Sequence, residues 1–323
     1  MKWRVKAMAA ALALPWLVTA TSAQVQPPCT QSVPLSVLEI SSGSVLTELH
    51  AADFRISLGG APVTVLSAER DFGTRNVVFI LDVNDQIASS PMNWDMESGA
   101  LRLLLGGIRK KHRIGMIAFN KKGMRQISFD SGRKGILDWL ATVDADRGQL
   151  DSVPYKVGVL DAIHSAVGML PLDGFDSTIV TVGPDEPYRS HASWEVVGRE
   201  LTQRGIRVFA VYPAVMAGGS GGESASGISR VTGGLSFAFP DMAVSDVPLN
   251  FLPNYGYGYY IDRLILGEVL APLRLELRLD SVPPARSKWK VEVLNRKNGK
   301  KRGDVYVVFP YQIPYCRQLQ PAP

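Results

Sequence analysis

Gly218-Gly219-Ser220-Gly221-Gly222 spells a nucleophile elbow, Gly-x-Ser-x-Gly, and it follows a predicted strand. In the α/β-hydrolase order, that serine needs an acid and a histidine later in the chain. All four histidines, His50, His112, His164 and His191, precede Ser220. A run so rich in glycine also makes a flexible loop rather than a strained turn. The match is read as accidental. His164 falls on or beside the apolar face of a predicted helix and reads as a core or boundary residue. His191 falls near the carboxyl end of the predicted sheet and is the histidine worth testing. The two cysteines, Cys29 and Cys316, are solitary, without zinc-ligand spacing. No phosphate-binding Gly-x-x-x-x-Gly-Lys-Ser/Thr loop is present, and no Gly-x-Gly-x-x-Gly follows a strand. No nucleophile, base and orienting acid can be named together, so no catalytic residue and no cofactor is assigned. The sequence reads as a binding or assembly module, with an uncharacterised hydrolase as the alternative.

The amino terminus points to export. Lys2, Arg4 and Lys6 precede an apolar stretch from Ala7 to Ala20, and Thr21-Ser22-Ala23 offers small residues for cleavage. That is the pattern of a secretory signal over residues 1–23; the stretch is short for a spanning helix and Pro15 interrupts it. Taking its three positive charges from the total of +5 leaves +2, so the basic balance is weak support for a nucleic-acid partner, and none is assigned. No later segment is apolar for long enough to span a bilayer. The expected location is the periplasm, cell surface or exterior. In such compartments two cysteines pair, so a Cys29–Cys316 disulfide is expected; a lipid-anchored Cys29 fits less well, because Pro27-Pro28 precedes it. One basic cluster remains: Arg286, Lys288, Lys290, Arg296, Lys297, Lys300, Lys301 and Arg302, with Glu292 its only acid. It lies on a predicted hairpin, where lysines solvate a sheet edge; contact with an anionic surface is the alternative.

Three kinds of segment must position these residues. Val33 to Ile40, Phe54 to Leu58 and Val63 to Leu66 read as strands, the last two joined at Gly59-Gly60. From Asn76 strands and helices alternate: strands at 76–81, 114–119, 124–129, 177–182, 206–212 and 235–239, and helices starting at Ser90-Pro91 and spanning 133–143, 157–170, 192–203 and 225–231. This pattern predicts an α/β fold with a doubly wound, mainly parallel sheet. After Pro240, alternating runs at 273–279, 288–294 and 304–309, with Asn298-Gly299 as a turn, predict a β-rich, sandwich-like end. Tyr255, Tyr257, Tyr259 and Tyr260 read as packing between modules, or as a ligand platform. The expected units are a β-rich segment at 24–72, the α/β domain at 73–241 and a β-rich region at 242–323. The β-rich ends are expected to pack together.

Three local features resemble the von Willebrand factor A (VWA) domain: the strand Val77 to Asp82 ending in an aspartate before a polar loop, Leu160-Asp161-Ala162-Ile163, and Val231-Thr232-Gly233-Gly234 before Phe237 and Phe239. With Ala52-Asp53-Phe54 before a Gly-Gly turn, the chain is similar to the exported "VWFA-related" group of acidobacterial type. The resemblance implies a protein-binding domain whose cation site uses Asp-x-Ser-x-Ser, a threonine and a later aspartate. Here the first element reads Asp82-Val83-Asn84-Asp85-Gln86, so both serines are replaced; the threonine position corresponds to Val157, and Asp185 matches the last aspartate only with a one-residue shift. The resemblance therefore implies a degenerate site, with a rearranged set of Asp82, Asn84, Asp85 and Asp185, holding calcium or magnesium, as the competing reading.

Overall fold

The computed structural model describes residues 29–83, 91–120, 123–146, 151–152, 157–172, 176–183, 190–213, 224–239, 266–280 and 288–312. The chain opens on strand β1 (Cys29–Glu39), a 3-10 turn (Ala51–Asp53) and the hairpin β2 (Phe54–Leu58) and β3 (Ala61–Arg70). Gly59 and Gly60 make the two-residue turn of that hairpin with φ of 59° and 89°. Positive φ at both positions matches the twist of the flanking strands, and a side chain there would be strained. Next come β4 (Asn76–Asp82), α1 (Pro91–Gly107), β5 (Arg113–Asn120), β6 (Gly123–Ile127), α2 (Gly132–Asp146), β7 (Asp151–Ser152), α3 (Val159–Met169), β8 (Ser177–Val182), α4 (Trp194–Gln203), β9 (Arg207–Pro213), α5 (Ala225–Thr232) and β10 (Ser236–Phe239). A short helix α6 (Gly267–Leu270) and strands β11 (Leu273–Leu279), β12 (Trp289–Val293) and β13 (Val305–Val308) complete the described chain.

Seven strands form one sheet in the order β10-β9-β8-β4-β5-β6-β7. β4 lies at its centre, parallel to β5 and β8, while β6 and β7 add an antiparallel edge. The continuous apolar run of β4 follows from this position, because alternate residues must be buried on opposite faces. Val77, Phe79 and Leu81 meet Leu101, Leu104, Leu105 and Ile108 of α1, and Ile136 and Leu140 of α2. Val78 and Ile80 face the other layer, built from Leu160, Ile163 and Val167 of α3, Val197 and Leu201 of α4 and Ile228 of α5. This is a mixed α/β architecture, a mainly parallel sheet flanked by helices on both faces.

The two ends of the chain do more than touch. Their strands interleave in a single six-stranded sheet, β12-β2-β3-β11-β1-β13, with β1 pairing antiparallel to both β11 and β13. The outermost strands also approach each other: Leu294 bridges Lys301, and the Arg302 N–H donates to the Val293 carbonyl at 2.8 Å. Trp289 closes the gap, its indole donating to the Pro310 carbonyl at 2.6 Å and its ring meeting Phe309 edge-on at 4.9 Å. The result is a partly closed sheet around Val33, Leu35, Val37, Ile56, Leu275 and Leu277, in place of the sandwich-like end the alternation suggested.

The expected Cys29–Cys316 bridge is a correction. Cys29 is the single cysteine among the described residues. Cys316 lies outside them, so that bridge is not a feature of the described fold. The strand register β1–β11–β3 holds the ends together without it.

A polar seam joins the two sheets at the amino ends of the parallel strands. Arg75, immediately before β4, is fully buried and pairs with Asp71 at 2.7 Å and with Asp176, immediately before β8, at 2.8 Å. Arg274 of β11 reaches the same two carboxylates at 2.7 and 3.0 Å. Beside them Glu268 of α6 is buried; it accepts from the Ser36 hydroxyl and from Arg70 at 2.9 Å, and lies 3.9 Å from Arg207 of β9. Burial pushes the Arg207 guanidinium down to about 10, with Glu268 opposing that shift, so the side chain stays charged at neutral pH.

Candidate functional site

The opposite, carboxyl edge of the parallel sheet is where ligands of such folds bind. Asp82 ends β4 there and is 4 % exposed. The next residue is pinned by its N–H, which donates to the Phe119 carbonyl at 2.7 Å. Gly183 follows β8 with φ of 142°, and a Cβ at that position would lie 2.7 Å from the Asp82 Cβ. Glycine thus lets the end of β8 pass against Asp82.

Glu97 of α1 is fully buried in the same neighbourhood, and neither of its oxygens has a hydrogen-bond partner among the described residues. Burial, reinforced by the Asp82 charge, pushes its carboxyl up to about 9, so it carries a proton at neutral pH. The site therefore holds two neighbouring acids, one of them neutral.

A second carboxylate organises the rim. Asp161, in the first turn of α3, accepts the Gly158 N–H with one oxygen and the His191 and Ala192 N–H groups with the other, each at 2.9 Å. Ser190 Oγ accepts the Leu160 N–H at 3.2 Å, and a Cβ on Gly158 would fall 2.2 Å from that oxygen. Asp161 is thus a staple fixing residues 190–192 to the start of α3. Asp161→Ala should cost about 2 kcal/mol, since two of its three donors are only partly buried. It should also speed amide exchange at His191 and Ala192; unchanged exchange there would remove the staple role.

The residues singled out by sequence are only partly brought together. Asp82 stands at the strand end as expected. Val157 is 1 % exposed and packs in the apolar layer of α3 and α4, with no oxygen to offer. Asn84, Asp85, Gln86 and Asp185 lie outside the described residues, as do Ser220 and the tyrosines at 255–260. Among the described residues no group of three or more His, Cys, Asp or Glu side chains is placed to hold a metal ion. Of the positions the resemblance assigns to a cation site, the described ones are Asp82, which offers carboxylate oxygens, and Val157, which offers none from its side chain.

The histidines are dispersed. His112 lies at the amino edge, away from Asp82, its Nδ1 accepting the Arg75 N–H at 3.0 Å; burial, then the charges of Lys111, Arg75 and Arg109, hold its pKa below the usual value. His164 is a correction: its side chain is exposed and lies 3.4 Å from Glu200, because the buried face of α3 runs through residues 160, 163, 166 and 167. His191 does lie at the carboxyl edge, its Nδ1 3.9 Å from Asp161, but that carboxylate is already engaged by backbone donors.

No protein-family model matches the chain, and no curated protein matches it. Solved structures do. An aerotolerance-related membrane protein from Bacteroides fragilis NCTC 9343 is 15 % identical over 51 % of this chain and 90 % of its own, with a TM-score of 0.38. Human COPII-coat protein Sec24c is 9 % identical over 76 % of this chain and 46 % of its own, with a TM-score of 0.40. Proximal thread matrix protein 1 from the mussel byssus, with a zinc-occupied MIDAS motif, is 13 % identical over 46 % of this chain and 38 % of its own, with a TM-score of 0.34. Overlaps this low assign the chain to none of them.

Two site residues escaped the sequence reading. Glu97 precedes Leu101, Leu104, Leu105 and Ile108 by four, seven, eight and eleven positions, so helical spacing alone puts its carboxyl on the buried stripe. Asp161 occupies the third helical position, where a carboxylate reaches back to the preceding N–H. Its further reach to residues 191 and 192 has no local signal.

Proposed function

We propose that this chain is an exported, non-catalytic protein-binding module of VWA type, working from the periplasm, cell surface or exterior, whose recognition edge lies at the carboxyl ends of β4 and β8 and needs no divalent cation. The supporting observation is Val157, which buries an apolar side chain where the family's cation site requires a threonine oxygen. The Asp82–Glu97 neighbourhood favours a second reading, a rearranged site in which a cation displaces the Glu97 proton. Melting in magnesium, calcium or chelator separates the two. The expected result is an unchanged melting temperature in all three, with Asp82→Ala altering stability alone. A melting temperature that rises with either ion, and loses that response in Asp82→Ala, would establish the second reading. Pull-down from the exported fraction, with the protein as bait, identifies the partner; capture lost in Asp161→Ala places the contact at this edge.

A further inference from the structure

The positive charges of the β12–β13 turn divide into two kinds. Its arginines are engaged: Arg296 reaches both Asp53 oxygens at 2.7 Å and the Glu48 carbonyl at 2.6 Å, and Arg302 reaches both Asp304 oxygens at 3.0 and 2.7 Å. Lys297, Lys300 and Lys301 are exposed, and no carboxylate pairs with them among the described residues. Seven cations, Arg55, Lys290, Arg296, Lys297, Lys300, Lys301 and Arg302, face five nearby carboxylates, Glu39, Glu48, Asp53, Glu292 and Asp304, leaving an excess of +2 concentrated on those lysines. Lys301 is also felt by Glu292, whose carboxylate already holds Lys290 at 2.7 Å.

The turn that carries the lysines is preformed. The Asn295 N–H donates to the Lys300 carbonyl and the Gly299 N–H to the Asn295 carbonyl, both at 2.8 Å. The Asn295 side chain accepts the Lys297 N–H at 2.9 Å, and the Asn298 side chain accepts the Lys300 N–H at 3.0 Å. Gly299 supplies the φ of 66° the reversal needs. Little ordering entropy would be lost on contact.

We infer that this turn is a peripheral docking element for an anionic lipid bilayer. Lysine ammonium groups are point charges that attract a fluid array of phosphates without demanding a fixed geometry. Recognition of one phosphate in one pose would call on the arginine forks, and both of those are committed to Asp53 and Asp304. Bases of a nucleic acid would need a stacking platform, and residues 295–302 contain no aromatic side chain.

The test is co-sedimentation of the full chain with vesicles of phosphatidylcholine containing phosphatidylglycerol at about three lipids in ten, against phosphatidylcholine alone. The readout is the ratio of the two partition coefficients, which cancels any apolar binding common to both. At about fivefold per lysine, three lysines give a preference on the order of a hundredfold at low salt, and it should collapse at about 0.5 M salt, where screening is nearly complete. Lys300→Gln should lower the ratio about fivefold, and K297E/K300E/K301E should abolish it with melting unchanged, because all three side chains are solvated. Lys110→Glu, an exposed change after α1, should leave it intact. Equal partition into both vesicles, a preference indifferent to salt, or one retained by the triple variant would overturn the inference. So would tighter binding to a single-stranded oligonucleotide than to the anionic vesicles.

Discussion

Glu97→Gln should stabilise the protein at pH 7, by at most about 3 kcal/mol, since burying the amide offsets part of the gain. The ordinary value for this carboxyl is 4.5 and the folded value is raised to about 9. The folded state therefore retains a proton that the unfolded state releases between those limits. Stability from this group is fully present below pH 4.5 and declines as pH rises towards 9, by roughly 1.4 kcal/mol per unit. Glutamine keeps the size and neutrality of the protonated acid without the titration. The gain should vanish near pH 4, grow through neutrality and level off above pH 9. Chemical denaturation of both proteins from pH 4 to 9 measures this directly; parallel curves would show that Glu97 does not titrate as the structure requires. Asp82→Asn should reproduce part of the effect, since the Asp82 charge is the second cause of the shift.

Glu268→Ala should be the most damaging single change, costing about 3–5 kcal/mol. Glu268 accepts from Ser36 of β1 and Arg70 of β3 and forms an ion pair with Arg207 of β9, so it ties both sheets together. Its removal leaves Arg207 buried among the positive charges of Arg70, Arg274 and Arg75. Urea unfolding should change from one transition to two as the sheets uncouple. Glu268→Met combined with Arg207→Met should recover much of the loss, because burying neither charge is cheaper than burying one. A loss below about 1 kcal/mol, as for an exposed pair, would mean that the seam is solvated and not a joint.

Much of the α/β unit was legible because its information is local. The apolar run at 77–81, the four-residue spacings of α1 and α3 and the Gly59-Gly60 and Asn298-Gly299 turns each specify structure within a few residues. Asp82 could be placed at its strand end for the same reason. The six-stranded sheet was not legible as one sheet, since Val33 pairs with Leu275 and Val37 with Val307 across more than two hundred residues. Alternation marks a strand but does not name its partner. Glu97 was passed over although its spacing to Leu101 and Leu104 marks the buried stripe, because nothing in the sequence names Asp82 as its neighbour. The seam is likewise invisible in sequence: Arg75, Asp176, Arg207 and Glu268 are scattered, and only the meeting of strand ends makes them neighbours.

The interleaving of the end strands also sets an order of assembly. β1, β2 and β3 are synthesised first, yet β1 and β3 share β11, and β2 needs β12. Until residues near 273 arrive, the hairpin β2–β3 and the long strand β1 present unpaired edges with Val33, Leu35 and Ile56 unburied. The intervening α/β unit can pair its strands and bury the layer of α3, α4 and α5 meanwhile, because β4 to β10 pair only among themselves, while its other layer awaits Leu266 and Val269. Closure of the six-stranded sheet then becomes the late, slow event, set by contacts distant along the chain. A chain arrested or cut short of β11 would be left with a folded centre and an adhesive amino-terminal arm, a substrate for chaperones and for aggregation alike.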